Sequence, residues 1–158
     1  GDWSSDVVLF RSQQGAYFLS IAMLAFLIGR FVSTGIMSKI SANHLLLIYA
    51  VINSVLCVVI LSGAEYISVI AAIGIFFFMS IMFPTIFAMG VKNLGSKTKI
   101  GSSFMIMAIV GGAIMPFFMG KLADHYGTHI AYVLPLICFL IVIFYAKSYQ
   151  KITLAQVN

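Results

Sequence analysis

Five apolar stretches, each long enough or nearly so to cross a bilayer and separated by short loops, constrain this chain more than any other feature. A spanning helix needs about 20 apolar residues, because the hydrocarbon core is roughly 30 Å thick and an α-helix rises about 1.5 Å per residue. The stretches at 15–36, 45–62, 66–90, 102–120 and 130–146 meet or approach that length, and the last is the shortest. The expected fold is therefore all-α, a polytopic transmembrane helical bundle. Composition leads the same way. The 158 residues are 62% hydrophobic and 8% charged, whereas a soluble domain is about half apolar and a quarter charged. A soluble domain this small could not hide so much apolar surface.

The charges are informative because they are few. The net charge is +5, which in a soluble protein would suggest nucleic acid. Here the basic residues are scattered between apolar runs, so they read as orientation signals and no nucleic-acid partner is expected. With the N-terminus outside, Lys39, Lys92, Lys97, Lys99, Lys147 and Lys151 fall on the inner side and Arg11 and Lys121 on the outer. That is a positive-inside bias. The acids Asp2, Asp6, Glu65 and Asp124 all fall outside. Loops 38–44 and 91–101 then face in, and 63–65 and 121–129 face out. The expectation is a multi-pass membrane protein, N-terminus out and C-terminus cytoplasmic, with the lipid bilayer as solvent.

Chain opening and catalytic signals are both sparse. The chain begins at Gly1 without Met, and no positive n-region precedes a small-residue cleavage site, so no signal peptide is expected. Five spans are an odd number, and a further helix before Gly1 would make six. Cys57 and Cys138 lie inside apolar runs, where they pack as small hydrophobes. His125 and His129 have the spacing of a metal pair on a helix, but Gly127 between them argues for a loop. No nucleophile–base set, phosphate loop or carboxylate pair is present, and the spans contain no Asp or Glu. The expectation is a non-enzyme with no cofactor and no metal.

Polar residues within the spans carry the functional reading, since an unsatisfied polar group in lipid costs several kcal/mol. Gln13, Tyr17 and Ser20 recur at helical spacing on the first span. Their amide, phenol and hydroxyl groups suit sugar hydroxyls, which donate and accept. Interface anchoring and helix–helix hydrogen bonding are the plainer readings. Arg30, near the end of that span, is either a topological anchor or a gating ion-pair partner. Ala25, Gly29 and Ser33 form a small-residue ridge for close helix packing. Asn53 and Ser54 sit mid-span, where an amide more often joins helices than binds a substrate. Pro84 cannot donate to the Ser80 carbonyl, nor Pro116 to that of Gly112. Each therefore exposes an acceptor at membrane depth. Phe83 and Phe87 offer rings that could stack on a sugar or pack a kink. Gly111 and Gly112 with Pro116 make the fourth span the most deformable, as a bending gate or a static kink.

Several segments together resemble the C-terminal half of the fucose–proton symporter family of the major facilitator superfamily. They are GRF at 29–31, SIMFPTIFAMGVKNLG at 80–95, TKIGSS at 98–103 and AIVGGAIMPFFMGKLAD at 108–124. The resemblance covers nearly the whole chain. It implies that residues 1–158 form part of the C-terminal transmembrane domain of a twelve-helix carrier, which would transport L-fucose with a proton by alternating access. A glucose/galactose or amino-sugar carrier is the neighbouring reading. A structural subunit of a membrane complex is the competitor from another class. The partners implied are a small-molecule sugar, a proton and the missing N-terminal half, where the proton-carrying acids would lie. The pocket residues implied for this half are Gln13, Tyr17, Ser20, Ser80, Phe83, Ser103 and Met107. Arg30, Pro84, Gly111, Gly112 and Pro116 are the implied gate and hinge.

Overall fold

A computed structural model describes residues 3–155. Asp2 lies outside that range, and so do the side chains of Asp6, Arg11 and Glu65. The chain is built from helices α1 (Trp3–Met37), α2 (Ala42–Leu61), α3 (Glu65–Met79), α4 (Met82–Val91), α5 (Thr98–Tyr126), α6 (Thr128–Ala131) and α7 (Val133–Ala155). A short 3₁₀ turn at Gly95–Lys97 leads into α5. Among the described residues, five helical segments are long and apolar enough to cross a membrane, with α3 and α4 together making one of them. No described residue is in a strand. The chain is a multi-pass membrane protein.

Helix ends fall where backbone chemistry allows a reversal. Gly63 follows α2 with φ +79°, and Gly127 follows α5 with φ +97°. These conformations suit a residue without Cβ at a helix C-terminus. The helix α5 runs beyond the expected 102–120 at both ends. It absorbs part of each flanking loop, because charged Lys99, Lys121 and Asp124 are tolerated on a helix that leaves the hydrocarbon. The Gly127 N–H closes its last turn onto the Ala123 carbonyl at 2.9 Å.

The third span is broken. Helix α3 ends at Met79, Ser80 caps it, and α4 begins at Met82. The break lies just before Pro84, whose missing N–H removes the bond that would have tied Ser80 into the next turn. Ser80 turns its hydroxyl back onto the Phe77 carbonyl at 2.7 Å, and the Thr85 N–H bonds the Ile81 carbonyl at 3.1 Å to start the new helix. The fourth span, expected to be the most deformable, is a single helix with Pro116 inside it. Nothing lies within 4 Å of a Cβ built on Gly111 or Gly112, so no neighbour bends it.

Packing centres on α2, which lies against α3 and α7 and touches α4. Leu46, Ala50, Cys57 and Ile60 of α2 meet Ala71, Ala72 and Ile75 of α3, Met82 and Met89 of α4, and Phe139 and Ala146 of α7. A smaller cluster joins Leu45 and Tyr49 to Ile81 at the break. Helix α1 lies along α3, and among its described side chains Ala22, Gly29 and Ser33 are buried. Helix α5 rests against α4 and buries no residue at all. The two halves of this arrangement differ sharply: α2, α3 and α7 form a packed wall, and α1 and α5 flank it with broad uncovered faces.

Candidate functional site

The small-residue ridge of α1 sets the geometry of the site. A Cβ on Gly29 would lie 2.3 Å from the Phe77 carbonyl oxygen and 2.9 Å from Ser80 Oγ. Only glycine lets α1 sit this close to the broken helix. One turn on, Ser33 is fully buried and its Oγ lies 2.8 Å from the Tyr49 hydroxyl of α2. Tyr49 in turn meets the Phe78 ring edge-on at 5.0 Å. The break between α3 and α4 is thus clamped by α1 on one side and α2 on another.

With the ridge turned inward, helical geometry at about 100° per residue turns Gln13, Tyr17 and Ser20 to the opposite face. All three are exposed, Tyr17 at 71%. The Ser20 hydroxyl donates to the Ala16 carbonyl at 2.9 Å and leaves its lone pairs outward. Arg30 also points outward, and its carbonyl accepts from Thr34 Oγ1 at 2.6 Å. No acidic partner for Arg30 is seen among the described residues.

Across the bundle, Ser103 and Met107 are exposed on α5, Met107 at 65%. Ser103 Oγ donates to the Lys99 carbonyl at 3.0 Å. Phe83, half exposed, lines an apolar cleft of about 450 Å³ between α4 and α5 that also takes in Ile86, Met105, Ala108 and Gly112. Its ring lies 6.3 Å from that of Phe87. Phe83 and Gly112 are the two candidate residues that the fold brings into one cavity. The α1 set and the α5 set stand apart, each facing outward.

Ser80 departs from the others. It is 1% exposed, packed under Gly29, with its hydroxyl committed to Phe77. Its side chain holds helices together in this arrangement and reaches no open cavity. Helical spacing puts Ser80 and Phe83 on different faces of this span, and the fold packs the Ser80 face against α1 while Phe83 looks into the cleft.

Two further contacts join helices, the first at the mid-span amide expected to do so and the second without a sequence signal. Asn53 is fully buried, and its Nδ2 points at the Met82 sulfur at 3.4 Å, across the α2–α4 contact. At one end of the bundle, His44 Nε2 lies 3.1 Å from Gln150 Nε2, which ties the start of α2 to α7. Ser41 contacts the other ring nitrogen of His44. Ser41, His44, Lys92 and Gln150 share one cleft, whereas Gly63, Ser68, Thr128 and His129 share another. The loops therefore alternate between the two ends of the bundle, as five spans require. Among the described residues no group of His, Cys, Asp and Glu could hold a metal ion. Cys57 and Cys138 are unpaired.

This arrangement has relatives. No protein-family model matches the chain. The L-fucose-proton symporter of Escherichia coli (strain K12) is 38% identical over 133 residues, covering 84% of this chain and 30% of the relative. The glucose/galactose transporter of Brucella abortus (strain 2308) is 38% identical over 136 residues, covering 86% of this chain and 32% of the relative. Among solved structures, a crystal structure of the major facilitator superfamily transporter FucP in the outward conformation matches with a TM-score of 0.81 at 38% identity. That match covers 85% of this chain and 33% of the other. The chain spans about a third of the length of the curated relatives it matches. With sequence and helix arrangement in agreement over most of its residues, the chain has the helical fold of part of a major facilitator superfamily transporter and is similar to L-fucose-proton symporters and glucose/galactose transporters alike.

Proposed function

We propose that this chain is the C-terminal portion of a secondary active sugar transporter that takes up L-fucose with a proton by alternating access. One observation carries the reading: the chain matches an L-fucose-proton symporter at 38% identity, and its helices superpose on the FucP fold at a TM-score of 0.81. A glucose/galactose carrier is the second reading, because relatives with that name match at the same 38%. Substrate centres on hydroxyl groups in either case.

In this reading the uncovered faces of α1 and α5 meet the remaining two-thirds of the carrier. The sugar lies in the space they border. Gln13, Tyr17 and Ser20 donate to and accept from sugar hydroxyls on one side. Ser103 and Met107 border the other, and Phe83 offers a ring for the apolar face of the sugar. Ser80 contributes indirectly, by holding the break that presents Phe83. Arg30, Pro84, Gly111, Gly112 and Pro116 serve the rocking motion. Pro84 leaves a carbonyl free at the break, and the glycines leave α5 without neighbours against which to lock. The acids that carry the proton belong to the N-terminal half, in keeping with acid-free spans here. The lysine bias supports an N-terminus outside and a cytoplasmic C-terminus, in a bacterial inner membrane.

Uptake of labelled L-fucose by cells expressing the full-length protein tests this. Excess unlabelled L-fucose should abolish uptake, and glucose and galactose should compete weakly. Competition by glucose or galactose alone would select the second reading. Sugar addition should also make a weakly buffered cell suspension more alkaline. Dependence on sodium without alkalinisation would refute proton coupling.

A further inference from the structure

One cleft lies apart from the residues assigned to the sugar. It has a volume of about 360 Å³ and sits where α2 begins and where α4 and α7 end. Ala88 and Met89 of α4 and Leu154 of α7 give it apolar walls. Among the described residues Lys92 is its one charged side chain, and His44 already has Gln150 as a partner. Lys147, Gln150 and Leu154 recur at i, i+3 and i+7, which sets Lys147 on the face of α7 that borders the cleft. Both lysines are exposed, and this end of the bundle carries no Asp or Glu among the described residues. Uncovered apolar stripes lead away from it along two helices that pack on each other. Ile48, Val51 and Val55 continue from His44 along α2, and Phe144, Leu140 and Ile137 continue from Lys147 along α7; all six are exposed.

We propose that this cleft holds the headgroup of an anionic phospholipid of the phosphatidylglycerol type, with its acyl chains laid along the α2 and α7 stripes. The charges are complementary. A phosphodiester brings one negative charge and several acceptor oxygens, and the two lysine ammonium groups donate to such oxygens with no acid nearby to compete. Basic pockets between transmembrane helices suit anionic headgroups for this reason. A zwitterionic headgroup would bring its own ammonium group up to the lysines, where no carboxylate receives it. A soluble phosphate would leave the apolar walls and stripes unused, whereas a lipid covers both. The rest of the carrier is assigned above to the faces of α1 and α5, which leaves the α2 and α7 stripes to the bilayer. The inference rests on that assignment and is independent of which sugar is carried.

Native mass spectrometry of the full-length protein, released from a mild detergent with dioleoyl-phosphatidylglycerol or dioleoyl-phosphatidylcholine added at equal concentration, tests it with no sugar present. Phosphatidylglycerol should bind several-fold more tightly than phosphatidylcholine. Lys92→Gln combined with Lys147→Gln should weaken phosphatidylglycerol binding several-fold and leave phosphatidylcholine unchanged. Lys97→Gln combined with Lys99→Gln removes the same charge from the same end but outside the cleft, and should leave both unchanged. Equal loss in the two double variants would reduce the effect to general surface charge and overturn the site. Equal binding of the two lipids by the unmodified protein would overturn it without need of any variant. So would the absence of bound lipid, the result if the rest of the carrier covers the cleft. Displacement of phosphatidylglycerol by inorganic phosphate at equal concentration would assign the cleft to a soluble anion instead. Sugar uptake is measured separately, so failure of the fucose reading leaves these outcomes untouched.

Discussion

Replacing Gly29 with alanine is the sharpest perturbation this fold offers. The added Cβ would sit 2.3 Å from the Phe77 carbonyl oxygen, where ordinary contact begins at 3.4 Å. The clash is with backbone, so no side-chain rotation relieves it. Helix α1 must back away from α3 by about 1 Å. A radial gap of about 0.5–1 Å forfeits a quarter to a half of each dispersion contact. The contacts at risk are those of Ala22 and Ser33, along with the 2.8 Å hydrogen bond from Ser33 to Tyr49. Overpacking of this kind costs about 1–3 kcal/mol, and the better helix propensity of alanine returns only about 0.8–1 kcal/mol. Gly29→Ala should therefore lower the melting temperature of the full-length protein in detergent. Gly35→Ala is the matched control on the same helix, because nothing lies within 4 Å of its Cβ. It should be neutral or slightly stabilising. A Gly29→Ala protein that melts at or above the parent would refute the close approach of α1 to α3.

Other outcomes follow from the same packing. Ser33→Ala and Tyr49→Phe each remove one partner of a buried bond, so each should destabilise by about 0.5–1.5 kcal/mol and the pair should be non-additive in a double-mutant cycle of melting temperatures. Gln13→Ala combined with Tyr17→Phe should cut sugar uptake while leaving the melting temperature unchanged, since both side chains are exposed; unchanged uptake would argue against a sugar-facing role. Gln150→Leu should loosen the tie between α2 and α7 through His44, lowering stability by about 1 kcal/mol in the same melting assay. Cys57, fully buried, should resist maleimide labelling in the folded protein and react on heating, which makes thiol labelling a direct reporter of unfolding.

Much of the architecture was legible in the residues. The apolar runs predicted a transmembrane bundle because a bilayer imposes one length scale on every span. The ridge of Ala25, Gly29 and Ser33 predicted a close helix contact, and Gly29 makes one. Pro84 predicted a distortion, and the break falls at Ser80 and Ile81, within one turn before it. Pro116 carried the same signal, yet α5 stays continuous. A missing N–H weakens a helix, but neighbours decide whether it parts. Around Ser80 the chain is clamped by α1 and α2, whereas Gly112 faces open space.

The sequence by itself determined how many helices cross the membrane, how the lysines divide between the two ends of the bundle, and which chemistry the spans lack. Those properties depend on local length, charge and residue type. The mid-span Asn53 read as a helix-joining amide from sequence, but tertiary structure decided which of the residues offered for a pocket hold helices together and which remain available. Ser80 and Asn53 are buried while Tyr17 and Ser103 are exposed. Hydropathy does not distinguish these residues. Their fates depend on which helix lies beside them: α1 leans its glycine face on α3, α2 sits at the centre, and α5 rests on α4 with its residues uncovered. Helix periodicity states that a residue has a face, but only the neighbours determine what that face meets.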